Sequence, residues 1–388
     1  MTQNNSLLNL LILDEEKQIS INSFCIALLL TANYVSGVLR INNSIIVIMF
    51  LIFIIQLSTF QYNKTSIKHI FLISFILFVM VVSVLISRMT NKPIDYLSKF
   101  MLFGIIPLFL STVKYKYETV FKAIIVISIL SIPLLIRIDY MSYKGAYRMG
   151  FSYALIPIFA CSILLLHYSI KYKIMSIIML LITIPIIIEV GTRGVLVTLG
   201  IFLTLYSISK YIKYSYLRFL LSTLLILIVY IIFKNILVIF INVQTFLKTY
   251  DISIHALDRS IYYYGIGNLF NYRDVLWNYA FIGIKDSLIY GHGIGSFEQV
   301  YEGFIHNIFL HSMWEGGFIF FLPILLLFVF SIYKIMKQPH SEKIAFIILL
   351  LTTSYFSLMF SSVFWMNQSF WFLTGMFLKP KNIELSKN

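Results

Sequence analysis

The sequence predicts an all-α polytopic membrane protein of about twelve transmembrane helices with one large external loop. Three observations carry this expectation. Of the 388 residues, 60% are hydrophobic and only 12% are charged, a balance no soluble domain of this length needs. The apolar residues are gathered in runs of about 18 or more, long enough to cross the hydrocarbon core of a bilayer. Finally, the runs lack the strict alternation of a barrel, and lipid leaves helices as the other way to satisfy the backbone.

Taken in order, residues 1–19 read as a cytoplasmic tail. Asp14, Glu15 and Glu16 precede the first apolar run and no small-residue cleavage site follows it, so the run reads as a retained helix and not a secretory signal. Nine spans are expected within 20–247, at about 20–38, 44–60, 67–87, 95–113, 119–137, 151–170, 174–190, 194–209 and 217–240. Residues 248–314 read as an external loop. Three further spans, at about 315–335, 343–361 and 365–378, lead to a second cytoplasmic tail within 315–388. No repeat and no Pro/Gly/Ser linker divides the chain, so one membrane domain is expected.

Charge gives the orientation. With the N-terminus inside, the inner loops hold Lys64, Lys68, Lys114, Lys116, Lys171, Lys173, Lys210, Lys213, Lys334, Lys337 and Lys343, which fits the positive-inside rule and leaves 248–314 outside. The eight arginines run against that bias. Only Arg218 falls inside, while Arg40, Arg88, Arg137, Arg148, Arg193, Arg259 and Arg273 fall outside or at the outer surface. Guanidinium is the side chain that grips phosphate in a planar, paired fashion, so these are candidates for an anionic ligand. The formal net charge of +14 does not point to nucleic acid, because the basic residues are scattered among short loops. Cys25 and Cys161 lie singly in apolar runs, so neither a disulfide framework nor a metal site is expected.

Four short stretches have the composition of a site. In GTRG (191–194), Arg193 sits at the outer end of the eighth span beside backbone amides that favour an anion, and Glu189 is placed to orient it. A snorkelling arginine in a tight turn is the competing reading. In RDVLWNYAFIGIKDSL, Arg273 opens a stretch with helical apolar spacing, followed by Trp277. GHGIGSF lacks the strand and helix that frame a phosphate-cradling loop, so a tight turn steering the chain back to the membrane is expected there. In HNIFLHSMWEGG, His306 stands at the mouth of the tenth span, where a neutral imidazole can accept a proton from a sugar hydroxyl. His311, five residues on, is not at metal-binding spacing from His306 and is expected to be a bystander. Trp314 is expected to belong to the interfacial aromatic belt, while Trp277 and Tyr262, Tyr263 and Tyr264 fit either that belt or sugar stacking.

The order Arg273, Trp277, Gly293-Ile-Gly-Ser-Phe297, His306-Asn307, Glu315 and Gly317, with the GTRG run, resembles the O-antigen polymerase and O-antigen ligase superfamily. Leu288 stands where a proline is usual before the glycine turn. The resemblance implies a fold like the GT-C-like lipid-linked glycosyltransferases in a bacterial inner membrane, with the active site on the periplasmic face. It implies a polymerase joining undecaprenyl-pyrophosphate-linked repeat units into O-antigen or capsular polysaccharide by inverting transfer. The ligase activity, handing the glycan to lipid A core, and a non-enzymatic transporter or flippase are the alternatives. The roles implied are His306 as catalytic base, Arg193, Arg273 and Arg148 as pyrophosphate ligands, and Glu189, Trp277, Asn307 and Glu315 as supporting or sugar-contacting groups. Neither metal nor cofactor is expected; the partners are the lipid-linked donor, the glycan acceptor, membrane lipids and a chain-length regulator, with no nucleic acid.

Overall fold

A computed structural model of the chain describes residues 15–39, 44–59, 66–86, 91–135, 146–190, 193–234, 236–251, 258, 261–262, 273–301, 303–361 and 363–379. No strand occurs among them. The apolar runs form α1 (Glu15–Leu39), α2 (Ser44–Thr59), α3 (Ser66–Ile86), α4 (Asn91–Phe100), α5 (Ile106–Leu110), α6 (Tyr117–Leu130), α7 (Ile132–Leu135), α8 (Ala146–Ala154) and α9 (Ile156–Leu165). The next are α10 (Ile170–Val190), α11 (Arg193–Tyr211), α12 (Ser215–Lys234) and α13 (Ile236–Lys248). The loop contributes α14 (Arg273–Ile284) and α15 (Ser296–Tyr301), and α16 (Ile308–Lys337), α17 (Glu342–Leu351) and α18 (Gln368–Leu378) close the chain.

Among the described residues, five stretches are long and apolar enough to cross a membrane: Glu15–Leu39, Pro93–Leu110, Ile170–Glu189, Gly194–Tyr211 and Ile308–Lys337. Shorter apolar helices occupy Ser44–Ile55, Ile67–Val82 and Gly150–Leu165. Large apolar side chains face outward along these helices, among them Phe71, Phe78, Leu181 and Phe330. So continuous an apolar exterior suits lipid and not water. Buried Ser and Thr hydroxyls return their protons to carbonyls one turn back, as Thr31 does to Ala27, Ser162 to Ile158 and Thr183 to Met179. A polar side chain in an apolar helix is thereby satisfied without a partner helix.

The two ends of the bundle differ. At one, the lysine-bearing loops are tied together. Lys379 donates to the Val113 carbonyl at 2.9 Å, Lys114 pairs with Glu15 at 2.7 Å, and Tyr168 donates to Glu342 at 2.7 Å. Arg218 belongs to this end and is more than a topological charge. It is buried, and its guanidinium donates to the Ile212 carbonyl at 2.6 Å and to the Gln338 carbonyl, holding the start of α12 to the end of α16. α10 starts and α16 ends near this side, so Val190 and Ile308 both lie towards the far one, where Gly194 packs against Phe360.

Several boundaries differ from expectation. The fifth span falls on α6 and α7, the sixth on α8 and α9 with its end at Leu165, the ninth on α12 and α13, which flank residue 235, and the last begins at Gln368. α16 begins at Ile308, seven residues before the expected 315, because Asn307 caps it: its Oδ1 accepts from the amides of Phe309 and Leu310 at 3.0 and 3.2 Å. A side-chain oxygen there replaces the missing intrahelical acceptor, so polar His311, Ser312 and Glu315 are carried into the helix. The helix is bent at Gly317, whose φ of 57° and ψ of −149° are non-helical.

Candidate active site

The loop folds onto the first two turns of α16 around its own small core of Ala280, Ile284, Phe297, Ile305 and Trp314. GHGIG makes the seat. Gly291, Gly293 and Gly295 all have positive φ, which lets the turn run against the bend in α16. There His292 N donates to the Trp314 carbonyl at 2.7 Å and Gly293 N to the Glu315 carbonyl at 3.0 Å. Gly295 N donates to Glu315 Oε1 at 2.7 Å. The turn therefore spends these amides on α16, two on its carbonyls and one on the Glu315 carboxylate. Trp314 is not an interfacial ring: it is 5% exposed, its Nε1 donates to Ser296 Oγ at 2.9 Å, and its indole meets His292 and Phe297. It faces inward because the folded loop covers that side of α16.

His306 lies between this core and the bundle. Its φ of 53° places a bulky side chain in the left-handed region. Such strain persists only where the surroundings impose it, and it concentrates at functional sites. The surroundings here are specific. On one side Ile305 is buried and its carbonyl accepts from Trp277 Nε1 at 2.7 Å; on the other Asn307 is fixed as the helix cap. Trp277 thus braces the backbone next to His306, a positioning role. His306 Nδ1 is buried without a hydrogen-bond partner among the described residues. Burial, then Arg273, then His311 push its pKa down to about 4, so the ring is neutral at ordinary pH.

Arg273, the first residue of α14, supplies the neighbouring cation. Its Nη2 donates to the Phe360 carbonyl at 2.8 Å. Burial draws the guanidinium pKa down and nearby Tyr153 opposes the shift. Tyr153 in α8 also lies against Ser361 and against Gly194, where a side chain would strike both the Tyr153 hydroxyl and Phe360. The start of α11, carrying Arg193, is therefore packed next to the Arg273–Phe360 contact. Arg193 and Arg148 lie in α11 and α8, but their side chains, like Gly191, Thr192, Tyr263 and Tyr264, lie outside the described residues. Glu189 is exposed in the last turn of α10. The expected His306, Arg273, Trp277 and Asn307 are brought together.

Glu315 does not join them as a sugar contact. It is 1% exposed and its two oxygens accept from Gly295 N and from Trp365 Nε1, both at 2.7 Å. Beside it, His311 Nε2 approaches Glu315 Oε1 at 3.1 Å and Glu298 Oε1 at 3.5 Å. Burial, with Glu315 adding to it and His311 opposing, pushes the Glu298 carboxyl up. His311 is thus no bystander but the centre of a buried group. Glu298 escaped the sequence reading because it stands one residue beyond the GHGIGSF turn, in a six-residue helix that carries no motif of its own, and only the fold of that turn brings it to α16.

Comparison with protein-family models, with curated proteins and with solved structures finds no match for this chain.

Proposed function

We propose that the protein is a membrane glycosyltransferase that moves a glycan from a lipid pyrophosphate carrier to a sugar hydroxyl, as a polysaccharide polymerase. The observation that carries the reading is the convergence of a strained, neutral imidazole, His306, with a half-buried guanidinium, Arg273, beside the helix start that bears Arg193. A base and an anion clamp side by side are what this displacement needs. The acceptor oxygen attacks the anomeric carbon as the bond from that carbon to the phosphate oxygen breaks, with inversion. The electron pair leaves on pyrophosphate, whose charge Arg273 and Arg193 neutralise, and the hydroxyl proton passes to the His306 ring. An imidazole with so low a pKa is a weak base, so it aligns the hydroxyl early and accepts the proton late. Donor binding helps, because an anion on Arg273 offsets part of the field that disfavours imidazolium.

In this reading the twelve expected spans hold the site at the periplasmic face of a bacterial inner membrane, with the lysine end inside. The donor carries its own energy in the pyrophosphate bond, and the acceptor is the next repeat unit. The resemblance of HNIFLHSMWEGG to the polymerase and ligase superfamily selects the substrate class. The test is glycan banding from a deletion strain together with transfer by purified protein from undecaprenyl-pyrophosphate-linked repeat units. A single repeat on lipid A and chain growth in vitro are expected. Long chains left on the carrier would mean ligase, and no transfer of either kind would overturn the proposal.

A further inference from the structure

We infer that Glu298, His311 and Glu315 form a binding site for a divalent transition cation of the zinc or manganese class, stapling the external loop to α16. The three residues each offer one ligand atom, and these atoms lie within 4.8 Å of one another. Their side chains are 4%, 3% and 0% exposed. Ligands held about 2.1 Å from a tetrahedral ion stand about 3.4 Å apart. The His311 contacts of 3.1 and 3.5 Å bracket that spacing.

The hydrogen-bond inventory points the same way. His311 Nε2 and both Glu298 oxygens are buried and complete no hydrogen bond, although each has polar neighbours. Nε2 stands between two carboxylates, 3.1 Å from Glu315 Oε1 and 3.5 Å from Glu298 Oε1. Tyr96 is the polar neighbour of Glu298 on the bundle side and lies within its electrostatic reach. Two carboxylates buried this deeply need a positive partner. Among the described residues, no lysine or arginine is paired with either. Glu315 is already held by Gly295 N and Trp365 Nε1, the outer hydrogen bonds that orient a metal-ligating carboxylate. The imidazole suits zinc better than calcium or magnesium, and the two carboxylates suit manganese.

The position gives the site a purpose. Glu298 belongs to α15 in the loop, and His311 and Glu315 to the first two turns of α16, whose cap, Asn307, directly follows His306. An ion on all three would lock the loop against the helix that presents the base. It is too enclosed to meet a glycan, so it is a structural site that takes no part in the bonds made and broken in the proposed reaction.

The test is metal content of the full-length, tag-free protein in detergent, by plasma mass spectrometry after equilibration with micromolar Zn2+ or Mn2+ and desalting. A stoichiometric ion is expected, with a fall in melting temperature on chelation that is restored by adding the ion back. Glu298→Gln and His311→Gln should lower affinity at least about tenfold, since even loss of an outer-sphere partner costs roughly 10–100-fold. His340→Gln, at the other end of the bundle, should not. Wild-type protein that holds no ion and shows no chelator-dependent shift would overturn the inference and leave a triad sharing a proton. An ion retained at full affinity by both variants would also overturn it. Should the variants not fold, the wild-type stoichiometry and its chelation shift decide. None of these readouts depends on glycan transfer.

Discussion

Arg273 Nη2 donates to the Phe360 carbonyl at 2.8 Å, joining the first residue of α14 to a segment 87 positions further along the chain. One edge of the guanidinium is thereby fixed, and the remaining donors are presented beside Tyr153 and the start of α11. A lysine keeps the charge but cannot hold the carbonyl and grip a phosphate in one plane. Arg273→Lys is therefore expected to lower transfer on the order of 10–100-fold, the equivalent of one charged hydrogen bond of about 1.5–3 kcal/mol. Arg193→Lys should behave similarly if it faces the same anion. Turnover of purified lipid-linked substrate, at matched levels of membrane insertion, checks both; near-normal rates would remove the arginines from the site.

Arg218 should give the opposite signature. Its sequence position reads as a topological charge whose loss matters little, yet it is buried and its guanidinium satisfies carbonyls at the end of α16. Arg218→Ala leaves those carbonyls without their donor, at a cost of about 2–4 kcal/mol. A lower melting temperature in detergent is expected, with turnover per folded molecule close to wild type. A variant as stable as wild type but inactive would reverse the assignment.

The pH dependence follows from His306. Its pKa is about 4 in the folded protein, below the ordinary histidine value, so the ring stays neutral through the physiological range. kcat/KM is expected to be flat from neutral pH down to about 5 and to fall only near 4, where the base of the free enzyme becomes protonated. The same depression has a sign for stability. The unfolded chain binds this proton more readily, so the contribution is present above the ordinary pKa and is lost as pH falls towards 4. Replacing Arg273 by Met should move the acid limb upward, though only in part, because burial is the larger cause. His306→Ala should cost about a hundredfold to ten-thousandfold in transfer while lipid pyrophosphate binding persists. An acid limb left unchanged by the Arg273 substitution would separate the two residues.

The helical character was legible because each apolar run is long and Gly, Lys or polar clusters punctuate it, whereas the cap at Asn307 was not, because the expected helix began at 315. What decided the rest is distance in sequence. Glu298 and His311 are 13 residues apart and meet only because three positive-φ glycines fold the turn back onto α16, which no local pattern announces. Trp314 looks like an interfacial ring in a list of residues, and becomes core only once Gly283 and Phe297 cover it. Arg218 misleads for the complementary reason, that a lone basic residue in an inner loop has the same sequence signature whether it is solvated or caps a helix. A histidine between two carboxylates cannot be seen from its own helix alone.

The glycines at the seam give the sharpest structural test. Gly291 and Gly317 both have left-handed φ, at 68° and 57°, and both face backbone across the seam. A methyl on Gly291 would meet the Glu315 and Gly316 backbone, and one on Gly317 the Leu288 and Ile289 carbonyls. An L-residue in such a conformation costs on the order of 1–3 kcal/mol, and opposing backbone, unlike a side-chain tip, has no rotamer to yield. Gly291→Ala and Gly317→Ala should therefore each lower the melting temperature and also loosen the loop, because the amides of His292, Gly293 and Phe318 lose their seats on α16 and on Leu288. Limited proteolysis should then cut near residues 285–295 in the variants before it does in wild type. Gly200 is the matched control: it lies inside α11, has nothing within 4 Å of the added methyl, and should accept alanine with a gain of up to about 1 kcal/mol. If Gly317→Ala proved as stable as Gly200→Ala, the turn would not be seated on the bend of α16, and the placement of Glu298 beside His311 would fall with it.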